Sequence, residues 1–214
     1  AGFSIITATG SSSTAHTVGH GCNSPPDLII AKLREAAGNG YNQDWQVYHK
    51  SLGNTKGLHL NSNGGVETTS SLWNDTSPTS SVFSIGGSSR WDGDFVAYCW
   101  SEVPGYSKFG SYVGNNADNF IYLGFRARWV MTKSSNDYAN WNIVDTTRDP
   151  YNRATEVLAA SNANKTLDNS VTGFDICSNG ITLKPDANGQ HNYNNITFIY
   201  AAFAETPFRY ANAR

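Results

Sequence analysis

The chain repeats itself, and that repetition limits its folds more than any other property. Read against itself, the 214-residue sequence falls into two halves of about one hundred residues each. Phe95-Val-Ala-Tyr-Cys-Trp-Ser-Glu-Val-Pro104 aligns without a gap on Phe198-Ile-Tyr-Ala-Ala-Phe-Ala-Glu-Thr-Pro207, setting Trp100 on Phe203, Glu102 on Glu205 and Pro104 on Pro207. Leu28-Ile-Ile-Ala-Lys32 matches Trp129-Val-Met-Thr-Lys133, and a tryptophan run follows each: Asp44-Trp-Gln-Val-Tyr-His49 and Asn140-Trp-Asn-Ile-Val-Asp145. Weaker pairs are Val82-Phe-Ser-Ile85 with Gly173-Phe-Asp-Ile176, and Phe3-Ser-Ile-Ile with Phe109-Gly-Ser-Tyr. The order of matching segments is the same in both halves.

The repeat decides one local ambiguity. Asp27 to Ala37 alone reads as a helix between a proline and Gly38, but its counterpart Arg128–Lys133 is a β-type run. Residues 28–32 are therefore expected as strand, with a helical turn around 33–37. Elsewhere short apolar and aromatic runs alternate with turn pairs such as Asn63-Gly64, Asp92-Gly93 and Asn179-Gly180. The expectation is an all-β chain: an antiparallel β-sandwich, lectin- or jelly-roll-like, built from two pseudo-repeats of about 1–107 and 108–214. The stretch Pro104–Phe109 reads as a short linker, and the halves are expected to pack as one unit.

Composition narrows the function classes. Charged residues are only 15% of the chain and the net charge is −2. A nucleic-acid binder needs a basic face, and none is encoded. No run approaches the apolar length of a membrane-spanning helix, so no membrane insertion is expected. The three cysteines, Cys22, Cys99 and Cys177, form no C-x-x-C pair, so neither a zinc site nor a redox motif is read.

Catalytic fingerprints are absent: there is no G-x-S-x-G, H-E-x-x-H, P-loop or dinucleotide loop. His16 and His20 stand four apart on a strand entering a glycine turn, where their rings do not converge on a metal. Asp145, Asp149, Asp168 and Asp175 lack the tight spacing of a calcium loop, so they read as turn residues, with structural calcium the lesser alternative. No carboxylate pair stands out for glycoside hydrolysis. No catalytic residue, no metal ligand and no cofactor is expected.

Two kinds of residue remain. Lys32 and Lys133 recur at one repeat position, and Glu102 and Glu205 at another; each lysine is expected to pair with its half's glutamate as a structural contact. Trp73, Trp91, Tyr41, Tyr112, Tyr138 and Tyr151 lie among Asn, Ser, Asp and Gly outside the expected strands. Planar rings beside amides suit sugar faces and hydroxyls, and Trp73, Trp91 and Tyr138 are the chosen ligand-binding residues.

The ordered motifs Thr17-Val-Gly-His-Gly21, Pro26-Asp-Leu-Ile-Ile-Ala-Lys32, Asp44-Trp45, Ser81-Val-Phe-Ser84, Phe95-Val-Ala-Tyr-Cys99, Leu123-Gly-Phe125, Asn140-Trp141, Ser178-Asn-Gly180 and Ile199–Phe208 carry a resemblance. Together they resemble a domain found near the C-terminus of tail-fibre-like virion proteins of tailed phages, especially marine and cyanobacterial ones. The resemblance covers nearly the whole chain and implies a non-enzymatic protein at the virion surface. It further implies a lectin-like sandwich, a homo-oligomeric and often trimeric state, and attachment to host cell-surface glycan or to other virion proteins. Alternatives are a capsid decoration protein without a receptor, and a polysaccharide depolymerase on a similar sandwich.

Overall fold

The computed structural model describes residues 2–34, 44–136, 139–162, 167–168, 173–186 and 188–206. The chain divides into two compact units at Glu102/Val103. Nearly all regular structure is antiparallel β, in several sheets, as the alternating pattern predicts.

Unit 1 holds strands β1 (Phe3–Thr9), β2 (His16–Gly19), β3 (Leu28–Leu33), β4 (Gln46–His49), β5 (Lys56–His59), β6 (Glu67–Thr68), β7 (Val82–Ile85) and β8 (Asp94–Trp100). Its large sheet runs β1-β8-β3-β4-β5-β6, and β2 pairs with β7 in a second, two-stranded sheet. One core lies between them. Ile29, Ala31 and Leu33 of β3 and Phe95, Ala97 and Cys99 of β8 meet Val18 of β2 and Phe83 and Ile85 of β7. Period-two alternation makes this possible, since every second residue of β3 and β8 faces the same way.

The connection between β6 and β7 contains the one helix of the described residues, the single turn α1 (Ser70–Trp73). Thr69 caps it by accepting the Ser71 N–H at 3.1 Å, and Asn74 ends it at φ 50°. The turn delivers Leu72 and Trp73 into the core. A 3-10 turn at Ser89–Trp91 does the same for Trp91.

Unit 2 holds β9 (Ser107–Val113), β10 (Asn119–Tyr122), β11 (Ala127–Ser134), β12 (Asn142–Asp145), β13 (Glu156–Ala159), β14 (Leu167–Asp168), β15 (Phe174–Cys177), β16 (Gly180–Leu183) and β17 (Thr197–Ala204). Its large sheet runs β9-β17-β11-β12-β13-β14, and β10-β16-β15 form the smaller one. Substituting each unit's strands in chain order, the two large sheets have the same arrangement: the last long strand lies between the first and the third. Phe174, Ile176, Ile181 and Leu183 of the small sheet pack on Val130, Phe198, Tyr200 and Ala202 of the large one.

Several expectations change here. Pro104–Phe109 is not simply a linker, because Ser107 already begins β9. Strand β3 continues through Leu33, one residue beyond the expected 28–32. Residues 35–37 of the expected turn fall outside the described residues, as do Tyr41, Tyr138 and Pro207. The strong alignments keep equivalent sheet positions: Trp100 and Phe203 stand opposite Phe3 and Ser107. That register matches Phe3 to Ser107, so the Phe3–Phe109 pairing is displaced by two residues. The other weak pairing also moves, since β7 pairs with β2 whereas β10 pairs with β16 rather than β15.

Candidate functional site

Core-facing residues of β1, β3 and β8 leave the alternate set on the opposite face of the large sheet of unit 1. On that face Phe3 stands opposite Trp100, Ile5 opposite Tyr98 and Thr7 opposite Val96, which in turn faces Lys32. Four rings form a continuous row. Phe3 and Trp100 have centroids 5.0 Å apart at 32°, Trp100 and Tyr98 6.2 Å at 22°, and Tyr98 and Trp45 6.5 Å at 26°. Phe3 and Ile5 are 43% and 57% exposed, while Trp45, Tyr98 and Trp100 are half-buried.

A polar cleft adjoins the row. Thr7, Ala8, Thr9, Arg34 and Asp94 line a space of about 210 Å³. Asp94 accepts the Thr9 hydroxyl at 2.6 Å, and the Arg34 backbone N–H donates to the Asp94 carbonyl at 2.7 Å. Lys32 lies between cleft and rings; burial draws its ammonium below the ordinary lysine range, and the Asp44 carboxylate opposes that shift. The arrangement offers apolar ring faces beside a hydroxyl, a guanidinium and a carboxylate. Such a surface can stack on the C–H faces of a sugar while exchanging hydrogen bonds with its hydroxyls.

The expected ligand-binding tryptophans are elsewhere. Trp73 and Trp91 are each 1% exposed, so neither can present a face to a ligand. They contact each other edge-on at 5.6 Å, and Trp91 meets Phe95 at 5.1 Å. The Trp91 indole N–H donates to the carbonyls of Ser71 and Leu72 at 3.0 and 3.1 Å, which explains how so large a polar ring is buried. Tyr112 is likewise a buried β9 residue, whereas Tyr151 is 81% exposed. Tyr138 lies outside the described residues.

The expected lysine–glutamate pairs do not form. Lys32 stands opposite Val96, six residues short of Glu102, and Lys133 stands opposite Ile199, six residues short of Glu205. Strand rise puts each pair roughly 20 Å apart. Glu102 instead meets Lys50 at 2.9 Å, with Asp27 on the same ammonium at 3.1 Å, and Glu205 meets Arg126 at 2.8 Å. Lys133 is fully buried.

Of the aspartates considered for calcium, Asp145, Asp149 and Asp175 serve turns and an ion pair, while the Asp168 side chain lies outside the described residues. Asp145 Oδ1 accepts the Thr147 N–H at 2.7 Å, Asp149 Oδ2 accepts those of Thr155 and Glu156, and Asp175 meets Lys184 at 2.8 Å. His16 and His20 bond to separate backbone carbonyls, of Thr9 and Thr79.

Two charged clusters were not visible in the sequence. In unit 1, His59 Nε2 lies 3.2 Å from Glu67 and its Nδ1 3.9 Å from Asp44, while Arg90 grips both Glu67 oxygens. His59 stands opposite Gln46, on the core side of the sheet and away from the ring row, so this cluster ties the β5–β6 end to the 3-10 turn. In unit 2, Asp186 is fully buried and accepts the backbone N–H groups of Asn188, His191 and Asn192. His191 Nδ1 lies 3.3 Å from the same carboxylate, and its ring packs on Phe174 at 4.9 Å. Burial holds the His191 imidazole below the ordinary histidine range, against the pull of Asp186. With both side chains enclosed, this pair organises a loop.

Residues 1–207 match the family described as "Domain of unknown function (DUF7483)", and the chain belongs to it. No curated protein and no solved structure matches the chain.

Proposed function

We propose that this member of the DUF7483 family is a non-enzymatic attachment protein of a phage virion surface, and that it holds host-surface glycan on the ring row of unit 1, on the sheet face opposite the core. The row Phe3–Trp100–Tyr98–Trp45 carries this reading. Four neighbouring rings on one sheet face, beside a cleft of mixed hydrogen-bonding groups, suit an extended chain of sugar units better than a single small molecule. The low charge of the sequence supports it too, because recognition through stacking and neutral hydrogen bonds needs no long-range field. The motif resemblance to tail-fibre-like proteins supplies the virion setting. The coinciding strand orders of the two large sheets support the accompanying reading that the units arose by duplication.

Unit 2 has its own ring cluster, Phe203 against Trp129 at 5.6 Å, Phe109 at 5.9 Å and Tyr106 at 6.0 Å; the polar cleft beside the unit 1 row favours unit 1 as the binding face. A glycan array and whole-cell adsorption test the proposal directly. Binding to a defined surface polysaccharide is expected, and Trp100→Ala or Tyr98→Ala should weaken it at least about fivefold, since each lost ring contributes on the order of 1 kcal/mol or more. Glycan binding that survives both substitutions would refute the placement. The absence of adsorption to any host surface would refute the attachment role.

A further inference from the structure

We propose that β1 is a dimerisation edge, along which two copies of this chain join their large sheets about a two-fold axis passing beside Ile5. The backbone shows which groups are free to do so. Gly2 O accepts the Ser101 N–H and Gly10 N–H donates to Gly93 O, both at 2.9 Å. In an antiparallel ladder bonded residues alternate, so Gly2, Ser4, Ile6, Ala8 and Gly10 bond to β8. Phe3, Ile5, Thr7 and Thr9 therefore aim their N–H and C=O groups away from the sheet. His16 Nε2 lies 3.1 Å from the Thr9 carbonyl and closes that end. Phe3, Ile5 and Thr7 remain as an open row among the described residues.

Proteins usually defend such an edge with a charge, a proline, a bulge or a covering segment. Among the described residues none of these is present: β1 reads Phe-Ser-Ile-Ile-Thr-Ala-Thr, pairs without a register shift, and its outward residues are all exposed. The corresponding edge of unit 2 differs. There Gly114 N–H donates to Ile196 O and Ala204 N–H to Tyr106 O, so Ser107, Phe109, Ser111 and Val113 face outward. Ser107 and Phe109 are nevertheless buried. Among the described residues β1 is the large-sheet edge exposed along its full outward row, whereas on β9 only Ser111 and Val113 are exposed.

A second copy is the occupant because β1 complements itself. Antiparallel pairing centred on Ile5 sets Ile5 against Ile5 of the second copy, and Phe3 against its Thr7. That makes three bonded pairs and about six hydrogen bonds. The aromatic–β-branched and β-branched–β-branched neighbours are favourable cross-strand pairs, and an uncharged strand meets its own copy without repulsion. The two ring rows would then lie on one continuous sheet face, one on either side of the dyad. The inference does not depend on what those rings bind.

Sedimentation velocity on the full chain, from low to high micromolar, should show a reversible monomer–dimer equilibrium. Thr7→Lys, which places an ammonium on the shared edge, and Ile5→Pro, which removes only an outward N–H, should each weaken dimerisation at least tenfold. Ser111→Lys on β9 should leave it unchanged. In a Cys177→Ser background, Ile5→Cys should oxidise to a covalent dimer, because the Cα atoms of a bonded antiparallel pair lie about 5.5 Å apart, within disulfide reach. A monomer at every concentration, a trimer, or a dimer indifferent to both edge substitutions would overturn the proposal.

Discussion

Replacing Trp91 by phenylalanine separates a core tryptophan from a binding one more cleanly than any other substitution. The indole sits 1% exposed between Trp73 and Phe95, and its N–H is shared by two carbonyls. Phenylalanine keeps an aromatic ring for the edge-on contacts but loses that donor, costing about 1 kcal/mol. The Ser71 carbonyl still receives the Ser88 hydroxyl at 3.1 Å and the Leu72 carbonyl the Gly86 N–H at 3.0 Å, so neither is orphaned. The vanished pyrrole ring leaves a void between rigid neighbours, costing about another 1 kcal/mol. The sum is about 2 kcal/mol, and Trp91→Ala should reach about 3–5 kcal/mol. Trp45→Ala, at a half-buried position, should cost about 1 kcal/mol. Urea denaturation followed by circular dichroism reads all three, with the midpoint falling and the slope unchanged for Trp91→Phe. A Trp91→Phe protein with undiminished stability and lost glycan binding would show that the ring is surface-active, and the burial argument would fail.

Further outcomes follow from the buried titratable groups. Because folding depresses the His191 pKa, the unfolded chain binds the extra proton first as pH falls. Unit 2 should therefore lose stability as pH drops through about 6.5, levelling off below the depressed folded value. His191→Gln should flatten that part of the pH–stability curve, and an unchanged slope would exclude His191 as its source. Burial raises the Cys22 thiol and pushes that of Cys99 up to about 12, whereas Cys177 is half-exposed. A thiol reagent should label Cys177 in the native protein, with Cys22 and Cys99 reacting only on denaturation; mass spectrometry of the digested adducts checks this.

The all-β class and the main strands were legible because alternation and turn pairs are local signals. The best-matching segments of the two halves fall on the long central strands β3, β8, β11 and β17, buried along much of their length. The displaced pairings fell on shorter or edge strands, where fewer contacts constrain the residue type. Phe3 and Phe109 look alike in sequence, yet backbone register puts Ser107 at the position equivalent to Phe3. The binding tryptophans were misplaced for a physical reason. Polar neighbours around Trp73 and Trp91 read as loop, but a one-turn helix and a 3-10 turn swing both rings inward, and no periodic signal marks so short an element. Conversely, Tyr98 and Trp100 sit in a strand that reads as core. Only the pairing partners reveal that alternate residues of that strand belong to the opposite face.

The position of β8 and β17 has a kinetic meaning. Each is the last long strand of its unit, yet each lies between the first and third long strands of the large sheet. The contact of Phe3 with Trp100 closes a loop spanning almost the whole of unit 1. Until residues 94–100 have left the ribosome, β1 has no partner and β3 has only β4. Contacts of such long range give slow folding. They also leave apolar strand edges open in the nascent chain, where encounter with a neighbouring nascent chain competes with completion of the sheet. Expression at lower temperature, or a slower-translated stretch far enough beyond Glu102 that residues 94–100 have already left the ribosome, should raise the folded yield by giving the closing strand time to enter.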